Sequence, residues 1–164
     1  MSMSGLLTRA VLAFLALPGT VAFLIPGLLL PHGPFVEVLG LIPLGLGIVL
    51  LLWCVRDFYV AGKGTLAPWS PPRHLVVRGL YRYSRNPMYI AVVIVLWGWA
   101  IGFRSQGVAI YTLVVMLMFH LRVVLGEEPW LARTHGEVWA RYRAQVPRWF
   151  GLPRKINAGK DSAG

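Results

Sequence analysis

The sequence contains a single cysteine and few acidic residues, and both shortages restrict what the chain can be. Cys54 lies in an apolar run, so no disulfide can form within the chain, and we predict that this thiol is buried. Only 6 of the 164 residues are acidic, against 16 Lys and Arg. Charged residues make up 13% of the chain and hydrophobic residues 57%, with a mean hydropathy of +0.64. This composition indicates a polytopic membrane protein rather than a soluble domain.

Several signatures of catalytic and binding sites are also missing. The 4 histidines show no metal-ligand spacing and no cysteine pair accompanies them, so we expect no metal. The chain has neither a Gly-rich phosphate loop nor a G-x-S-x-G nucleophile motif. Its basic residues fall beside apolar segments, as juxtamembrane charges do, which argues against nucleic acid as a partner. The partner that the composition predicts is the lipid bilayer.

Apolar stretches alternate with short turns and with two longer polar segments. We predict membrane spans at residues 6–30, 35–53, 88–103 and 107–125. Pro18 and Pro26 are expected to kink the first span. In the second, Gly40, Gly45 and Gly47 predict a small-residue face for close helix packing.

The segment after the fourth predicted span has a different pattern. Gly126 and Pro129 predict a break in the helix. Beyond them, apolar residues recur at helical spacing among arginines, which predicts a basic amphipathic helix lying on the membrane surface. The apolar positions are Leu131, Val138, Trp139, Tyr142 and Val146.

The predicted fold class is therefore all-α, a polytopic membrane protein with about four transmembrane helices and a C-terminal interfacial amphipathic helix. We divide the chain into a two-helix membrane scaffold (1–56), a functional core (57–150) and a polar tail (151–164). Basic residues concentrate in the central loop and the C-terminal region, whereas the two short turns carry only Arg104. By the positive-inside rule, both termini should be cytoplasmic, in the cell (inner) membrane.

The most polar constrained stretch is RGLYRYSRNPMY, residues 78–89, at the start of the third predicted span. Asn86 suits the N-cap, with its side chain accepting a backbone N–H, and Pro87 suits the first helical position. Glu127 and Glu128 are adjacent at the predicted C-terminal end of the fourth span, where the helix dipole disfavours each carboxylate by up to about 1 kcal/mol. Two hypotheses remain open: salt bridges to the loop arginines, or a cationic ligand.

LVVRGLYRYSRNPMYIA, followed by a helical hairpin and EEPWLARTHGEVWARYRAQVPRW, resembles the isoprenylcysteine carboxyl methyltransferase family. That family has G-x-Y-x-x-x-R-[HN]-P-x-Y, then E-E-x-x-L, then F-G-x-x-Y-x-x-Y-x-x-x-V-P. Phospholipid N-methyltransferases share the hairpin and the acidic pair. The resemblance covers about residues 64–150. It implies an integral-membrane methyltransferase that uses S-adenosyl-L-methionine and acts on a lipophilic acceptor at the cytoplasmic interface.

The resemblance also implies which residues form the site. The predicted cofactor-binding residues are Arg73, His74, Leu75, Val76, Tyr81, Asn86, Pro87, Met88, Tyr89 and Glu127. The predicted catalytic residues are Arg85, Tyr89 and Glu128, and the predicted substrate-binding residue is Arg122. In a basic protein, the acidic pair would supply the counter-charge for the cofactor's sulfonium and ammonium groups.

This sequence departs from the family pattern at three positions. Asn86 stands where the eukaryotic enzymes commonly have histidine, and His135 replaces the aromatic residue before the glycine. Val123 occupies the position of the arginine that pairs with the substrate carboxylate, and the adjacent Arg122 points about 100° away on an α-helix. Prenylcysteine is therefore not the expected acceptor. The alternatives are a sterol-type membrane reductase using NADPH and a non-enzymatic membrane scaffold.

Overall fold

The computed structural model describes residues 15–30, 34–62 and 77–152, with only the backbone described for 15–17 and 58–62. Within these ranges every regular element is a helix and no strand occurs, which confirms the all-helical prediction. The elements are a π-helix (Leu15–Leu24), α1 (Ile25–Leu29), a 3₁₀ turn (Val38–Gly40), α2 (Leu41–Gly62), a 3₁₀ turn (Gly79–Arg82), α3 (Pro87–Gly102), α4 (Gln106–Arg122), a π-helical turn (Val123–Glu127) and α5 (Glu128–Gln145).

Helices α2 and α3 pack closely because glycines line their contact. A Cβ atom on Gly47 would lie 2.7 Å from the backbone nitrogen of Val95. A Cβ on Gly98 would lie 2.6 Å from the backbone nitrogen of Leu44. The prediction of a small-residue face is therefore confirmed for Gly40 and Gly47, but it is wrong for Gly45, around which there is open space.

The first helical segment is fixed to α3 and α4 by polar groups as well as by packing. Trp99 donates its indole N–H to the carbonyl oxygen of Ala22 at 3.0 Å, and Tyr111 donates its hydroxyl to the carbonyl oxygen of Val21 at 3.2 Å. Ala22 belongs to the apolar core that α2, α3 and α4 share. Pro18 and Pro26 lie within the helical segment as predicted, while residues 6–14 of that predicted span lie outside the described residues.

Large apolar side chains cover much of the outer surface. On α2 and α4, Ile42, Leu46, Ile110 and Leu113 are all more than half exposed. Two helical runs in the described ranges are long and apolar enough to cross a membrane, Val38–Asp57 and part of Gln106–Gln145. Helix α3, with 16 residues, reaches about 24 Å at 1.5 Å per residue. The four-span topology therefore stays a prediction.

Both ends of the long polar segment, residues 56–87, are helical. Helix α2 continues to Gly62, and the 3₁₀ turn Gly79–Arg82 precedes α3. The sequence predicts an irregular, Gly- and Pro-rich loop at residues 62–74, and all of it except Gly62 lies outside the described residues.

The predicted helix break after the fourth span is wrong. Helix α4, the π-helical turn and α5 form one continuous run, with Gly126 inside the π-helical turn and Pro129 in the first turn of α5. A π-helical turn shifts the hydrogen-bonding register just before Pro129, so the run continues past a residue that has no N–H to donate. Gly136 interrupts α5 instead, with φ 49° and ψ −121°.

The second half of α5 buries the apolar side that the sequence predicts. Trp139, Tyr142 and Val146 form a small core against which Leu131 packs. Val138 is the exception, because 56% of its surface is exposed. The positive φ at Gly136 changes the direction of the chain between Leu131 and Val138, so one helical period does not describe both halves.

Candidate active site

The site is built on the turn that precedes α3. Gly79 adopts φ +57°, and a Cβ there would lie 1.8 Å from Oδ2 of Asp57, so glycine is required both by conformation and by space. The following 3₁₀ turn buries Tyr81, whose carbonyl oxygen accepts the hydroxyl of Tyr142 at 2.7 Å. This contact fixes the turn against α5.

Asn86 and Pro87 start α3 as predicted, but the predicted capping hydrogen bond is absent. Asn86 occupies the N-cap without a side-chain cap, and its amide Nδ2 instead donates to the carbonyl oxygen of Arg148 at 3.0 Å. The hydroxyl of Ser84 accepts the backbone N–H of Asn86 at 3.0 Å. The backbone N–H of Arg85 donates to Pro147 O at 3.0 Å. The C-terminal segment therefore holds the turn that precedes α3 through two of its carbonyl oxygens.

Glu128 is held by two arginines. Its Oε1 accepts Nη1 of Arg85 at 2.8 Å and Nε of Arg148 at 2.7 Å, while Oε2 accepts Nη2 of Arg148 at 2.9 Å. The hydrogen bonds to Glu128 raise the pKa of the Arg148 guanidinium, whereas burial lowers that of Arg85. Arg85 also lies over the ring of Trp139, 5.5 Å from its centroid. Glu128 thus ties the turn to the C-terminal segment.

Glu127 has a separate set of partners. Its Oε1 accepts the hydroxyl of Tyr89 and, at 2.8 Å, Nε of Arg122, which is also 3.1 Å from the hydroxyl of Tyr89. Tyr89 stacks on Phe119 with a centroid distance of 4.3 Å. Arg122 and Glu127 are five residues apart, and the π-helical turn between them places them on one face.

The two carboxylates therefore point to different partners, although they are adjacent in sequence. Both oxygens of Glu128 are hydrogen-bonded, and the residue is only 8% exposed. In the described part of the chain, Oε2 of Glu127 accepts no hydrogen bond, and 34% of this side chain is exposed. The salt-bridge hypothesis accounts for Glu128, and Glu127 retains a free acceptor.

Comparison with known protein families identifies the class to which this arrangement belongs. The family model described as phospholipid methyltransferase matches residues 35–138, well over half of the 164 residues. The chain belongs to the phospholipid methyltransferase family. It is accordingly a membrane methyltransferase, and the family resemblance read from the sequence is confirmed at this level. A search of curated proteins found no significant match.

The methyltransferase brings most of its predicted site residues to one end of the helices. The two clusters described above contain Arg85, Asn86, Tyr89, Arg122, Glu127 and Glu128. Met88 packs against the apolar core of the bundle. The roles of all these residues remain predictions, and Arg73, His74, Leu75 and Val76 lie outside the described residues.

The structure adds two residues that sequence reasoning on this methyltransferase missed. Arg148 supplies two of the hydrogen bonds to Glu128, yet it lies beyond the matched residues 35–138. Its only sequence signal is its place beside the V-P dipeptide at the end of the motif. Phe119 looks like an ordinary apolar residue of a span, and only the fold shows that it stacks on Tyr89.

Proposed function

We propose that this chain is an S-adenosylmethionine-dependent methyltransferase that acts on a lipophilic acceptor at the cytoplasmic membrane interface. The observation that carries the proposal is the half-satisfied carboxylate of Glu127. Tyr89 and Arg122 fix its Oε1, while Oε2 is accessible to one more donor. The cofactor's ammonium group is such a donor, and a charge-assisted hydrogen bond of this kind contributes roughly 1.5–3 kcal/mol.

The residues around Glu127 fit the cofactor in chemistry as well as in charge. The bound cofactor supplies an electrophilic methyl group on a sulfonium centre. Tyr89 and Arg122 orient the carboxylate of Glu127, and the stacked rings of Tyr89 and Phe119 provide an aromatic wall beside it. Because the methyl group is already activated, the task of these residues is to align the reactants and exclude water.

The surroundings of Val123 bear on the acceptor. Val123 is an uncharged side chain, and it is 1% exposed. It stands where the resembling enzymes have the arginine that pairs with a substrate carboxylate. The adjacent Arg122 is engaged through its Nε by Glu127 and Tyr89, so it could serve a substrate carboxylate only with its other nitrogens. A carboxylate left unpaired in a dry site costs several kcal/mol. We therefore assign the enzyme an acceptor whose nucleophile is neutral when it reacts, such as an amine, thiol or hydroxyl.

The apolar surface beside the site supports a lipophilic acceptor. Leu117, Leu121 and Leu125, on the run that leads to Glu127, are exposed. An acceptor with a long hydrophobic portion can approach along this surface from the bilayer and present only its reactive head to the methyl group.

Titration of the purified full chain in detergent with S-adenosylhomocysteine tests the cofactor. Saturable binding is expected, and NADPH should not compete. Absence of S-adenosylhomocysteine binding would exclude a methyltransferase that uses this cofactor. Binding of NADPH in place of S-adenosylhomocysteine would favour the alternative of a sterol-type membrane reductase. Binding of neither ligand would favour the alternative of a non-enzymatic membrane scaffold.

Incubation with methyl-labelled cofactor and native lipid extract tests the acceptor. Label that stays in the lipid phase after mild base is expected for an amine, thioether or ether product. Base-labile label released as methanol would identify a methyl ester, hence a carboxylate acceptor, and would overturn the assignment.

A further inference from the structure

The first helical segment, which is the π-helix Leu15–Leu24 together with α1, cannot satisfy all of its own carbonyl groups. A π-helix bonds each N–H to the carbonyl five residues back, and an α-helix to the carbonyl four residues back, so the change of register between them leaves one carbonyl without a donor. Pro26, in the first turn of α1, has no N–H and leaves a second carbonyl without one. Two backbone carbonyls therefore need donors from outside the segment.

The neighbouring helices supply these two donors. The indole N–H of Trp99, on α3, donates to the carbonyl oxygen of Ala22 at 3.0 Å. The hydroxyl of Tyr111, on α4, donates to the carbonyl oxygen of Val21 at 3.2 Å. These carbonyls lie four and five residues before Pro26, so they are the acceptors that its missing N–H would serve in an α-helix and in a π-helix. Neighbouring helices commonly satisfy groups that a proline frees within a membrane.

Apolar contacts hold the same part of the segment. The ring of Phe23 meets the ring of Trp99 edge to face, with the centroids 6.4 Å apart. Ala22 is fully buried in the core that α2, α3 and α4 share, and Phe119 packs against that core. The first helical segment and Phe119 are therefore parts of one packed unit.

The two helices that donate these hydrogen bonds also carry the candidate active site. Tyr89 lies on α3, ten residues before Trp99, and Phe119 lies on α4, eight residues after Tyr111. At 1.5 Å per residue, each is about 12–15 Å from the donor on its own helix. Tyr89 stacks on Phe119, and this contact joins α3 to α4 beside Glu127. A rotation of either helix would disturb the stacked pair.

We propose that Trp99 and Tyr111 are positioning residues of the methyltransferase site. Their hydrogen bonds to the two carbonyls, here called the carbonyl clamp, fix the rotation of α3 and α4 against the first helical segment and so hold Tyr89 against Phe119. The carbonyls of the clamp lie before the matched residues 35–138. The inference rests on the proposed function, because it takes the stacked pair as part of that site, but the clamp itself needs no ligand.

Fluorine NMR of the purified full chain in detergent tests the clamp without any ligand. Fluorotyrosine incorporated in place of Tyr89 reports the stacking, and Phe119→Leu gives the reference shift for an unstacked ring. Tyr111→Phe removes one hydroxyl and keeps the ring. It should move the resonance toward the Phe119→Leu position and lower the melting temperature by about 2–6 °C. An unmoved resonance would overturn the positioning role, even if the melting temperature falls.

Trp99→Phe and Trp53→Phe form a matched pair for the second donor. Trp53 lies on α2, is 47% exposed, and donates to no acceptor among the described residues. Trp99→Phe should move the fluorine resonance as Tyr111→Phe does, whereas Trp53→Phe should leave it in place. Equal shifts in the two tryptophan variants would contradict a specific clamp.

Pro26→Ala tests the origin of the clamp. In the α-helical register, the N–H of the new alanine can donate to the carbonyl oxygen of Ala22, so that carbonyl no longer needs Trp99. Trp99→Phe should then lower the melting temperature by less than half as much in the Pro26→Ala background as in the unmodified chain. Equal drops in both backgrounds would mean that the indole does not replace a missing backbone donor, and the clamp would be wrong.

S-adenosylhomocysteine separates this inference from the proposed function. Well below the melting temperature, Tyr111→Phe should bind this ligand about threefold more weakly, because the groups that hold it lose their alignment. Trp53→Phe should bind it as the unmodified chain does. Unchanged affinity in Tyr111→Phe would leave the methyltransferase in place and overturn the positioning role. If the unmodified chain binds no S-adenosylhomocysteine but Tyr111→Phe moves the fluorine resonance, the clamp stands and the proposed methyl transfer fails.

Discussion

Glu127 and Glu128 are neighbours in the chain, but their carboxylates have different surroundings and should have different roles. Glu128 is 8% exposed and uses both oxygens to hold Arg85 and Arg148. Glu127 shares one oxygen between Tyr89 and Arg122 and leaves the other accessible. The first arrangement stabilises the fold, and the second can still accept a ligand's donor.

Glu127→Gln tests the ligand-binding role. The substitution keeps the shape of the side chain but removes the negative charge that attracts an ammonium group. We expect S-adenosylhomocysteine to bind at least tenfold more weakly, about 1.4 kcal/mol, with the protein still folded in detergent. Tyr89→Phe should cause a smaller loss, because the ring can still stack on Phe119.

Glu137→Gln is the matched control for that measurement. Glu137 also lies on α5, but 94% of its side chain is exposed, and its one ion pair among the described residues is with Arg141, at 3.8 Å. Its substitution should leave the affinity unchanged. An unchanged affinity in Glu127→Gln would instead assign Glu127 to a structural salt bridge.

Glu128→Gln and Arg148→Gln should destabilise the protein unequally. Loss of the Glu128 charge leaves the buried guanidinium of Arg85 without its counter-ion, which typically costs about 3–5 kcal/mol. Loss of Arg148 removes charge-assisted hydrogen bonds worth about 1.5–3 kcal/mol but leaves Arg85 paired with Glu128. Thermal unfolding in detergent should therefore show the larger drop in melting temperature for Glu128→Gln. The reverse order would mean that Arg148 acts chiefly through packing.

The sequence locates this site but does not predict its pairings. The Asn-Pro turn and the acidic pair are visible as motifs, and the turn starts α3 as predicted, whereas the acidic pair lies inside a continuous helical run and not at a helix end. On an α-helix, positions 122 and 127 are about 140° apart, so their contact requires the π-helical turn. The contact between Glu128 and Arg148 depends on the tertiary fold, which brings the C-terminal segment back to the turn.

At the level of the helices, some of the glycines of the second predicted span predict the contact between α2 and α3, and one of them does not take part in it. Gly40, Gly45 and Gly47 look equivalent in the sequence, and the structure places Gly45 in open space. The rotation of a helix about its own axis decides which small residue faces a neighbour, and composition alone does not specify that rotation.

Gly47→Ala and Gly45→Ala form a matched pair on one helix. A methyl group at Gly47 would meet Val95 at 2.7 Å, including its backbone nitrogen, so α2 and α3 must separate. We expect a destabilisation of about 1–3 kcal/mol. At Gly45 nothing lies within 4 Å, and alanine should be neutral or stabilise the helix by up to about 1 kcal/mol. The apparent melting temperature in detergent measures both, and similar values for the two variants would contradict the observed packing.

The failure to predict the α4–α5 junction also has a local cause. Gly126 and Pro129 are ordinary helix-breaking residues, yet the π-helical turn accommodates the first, and the first turn of α5 accommodates the second. Because the helix does not end there, the dipole argument for an unfavourable acidic pair does not apply. Arginine partners offset the negative charge of both glutamates, fully at Glu128 and through one oxygen at Glu127.

Across the whole molecule, charge separates to the two ends of the helices. At one end, the backbone N–H groups of Val36 and Glu37 donate to the carbonyl oxygen of Gly102, and Glu37 pairs with Arg104. At the other end, Gly79 lies against Asp57, and the arginine-rich turn before α3 begins. Among the described residues, the first end has one arginine, which is neutralised by one glutamate, while the second end gathers the basic residues that we predict, by the positive-inside rule, to be cytoplasmic.

Labelling of single cysteines from each side of the membrane tests the proposed four-span topology. Cys54 is fully buried and can be replaced by alanine to provide a cysteine-free background. Cysteines introduced at Ser70 and Ser162 should react from the cytoplasmic side, and those at His32 and Ser105 only from the opposite side. The grouping follows from the antiparallel α2–α3 contact, which holds residues 36 and 102 at one end and residues 57 and 79 at the other. If Ser70 and Ser105 are labelled from the same side, α3 does not cross the bilayer, and the cofactor site cannot be assigned to the cytoplasmic face by this argument.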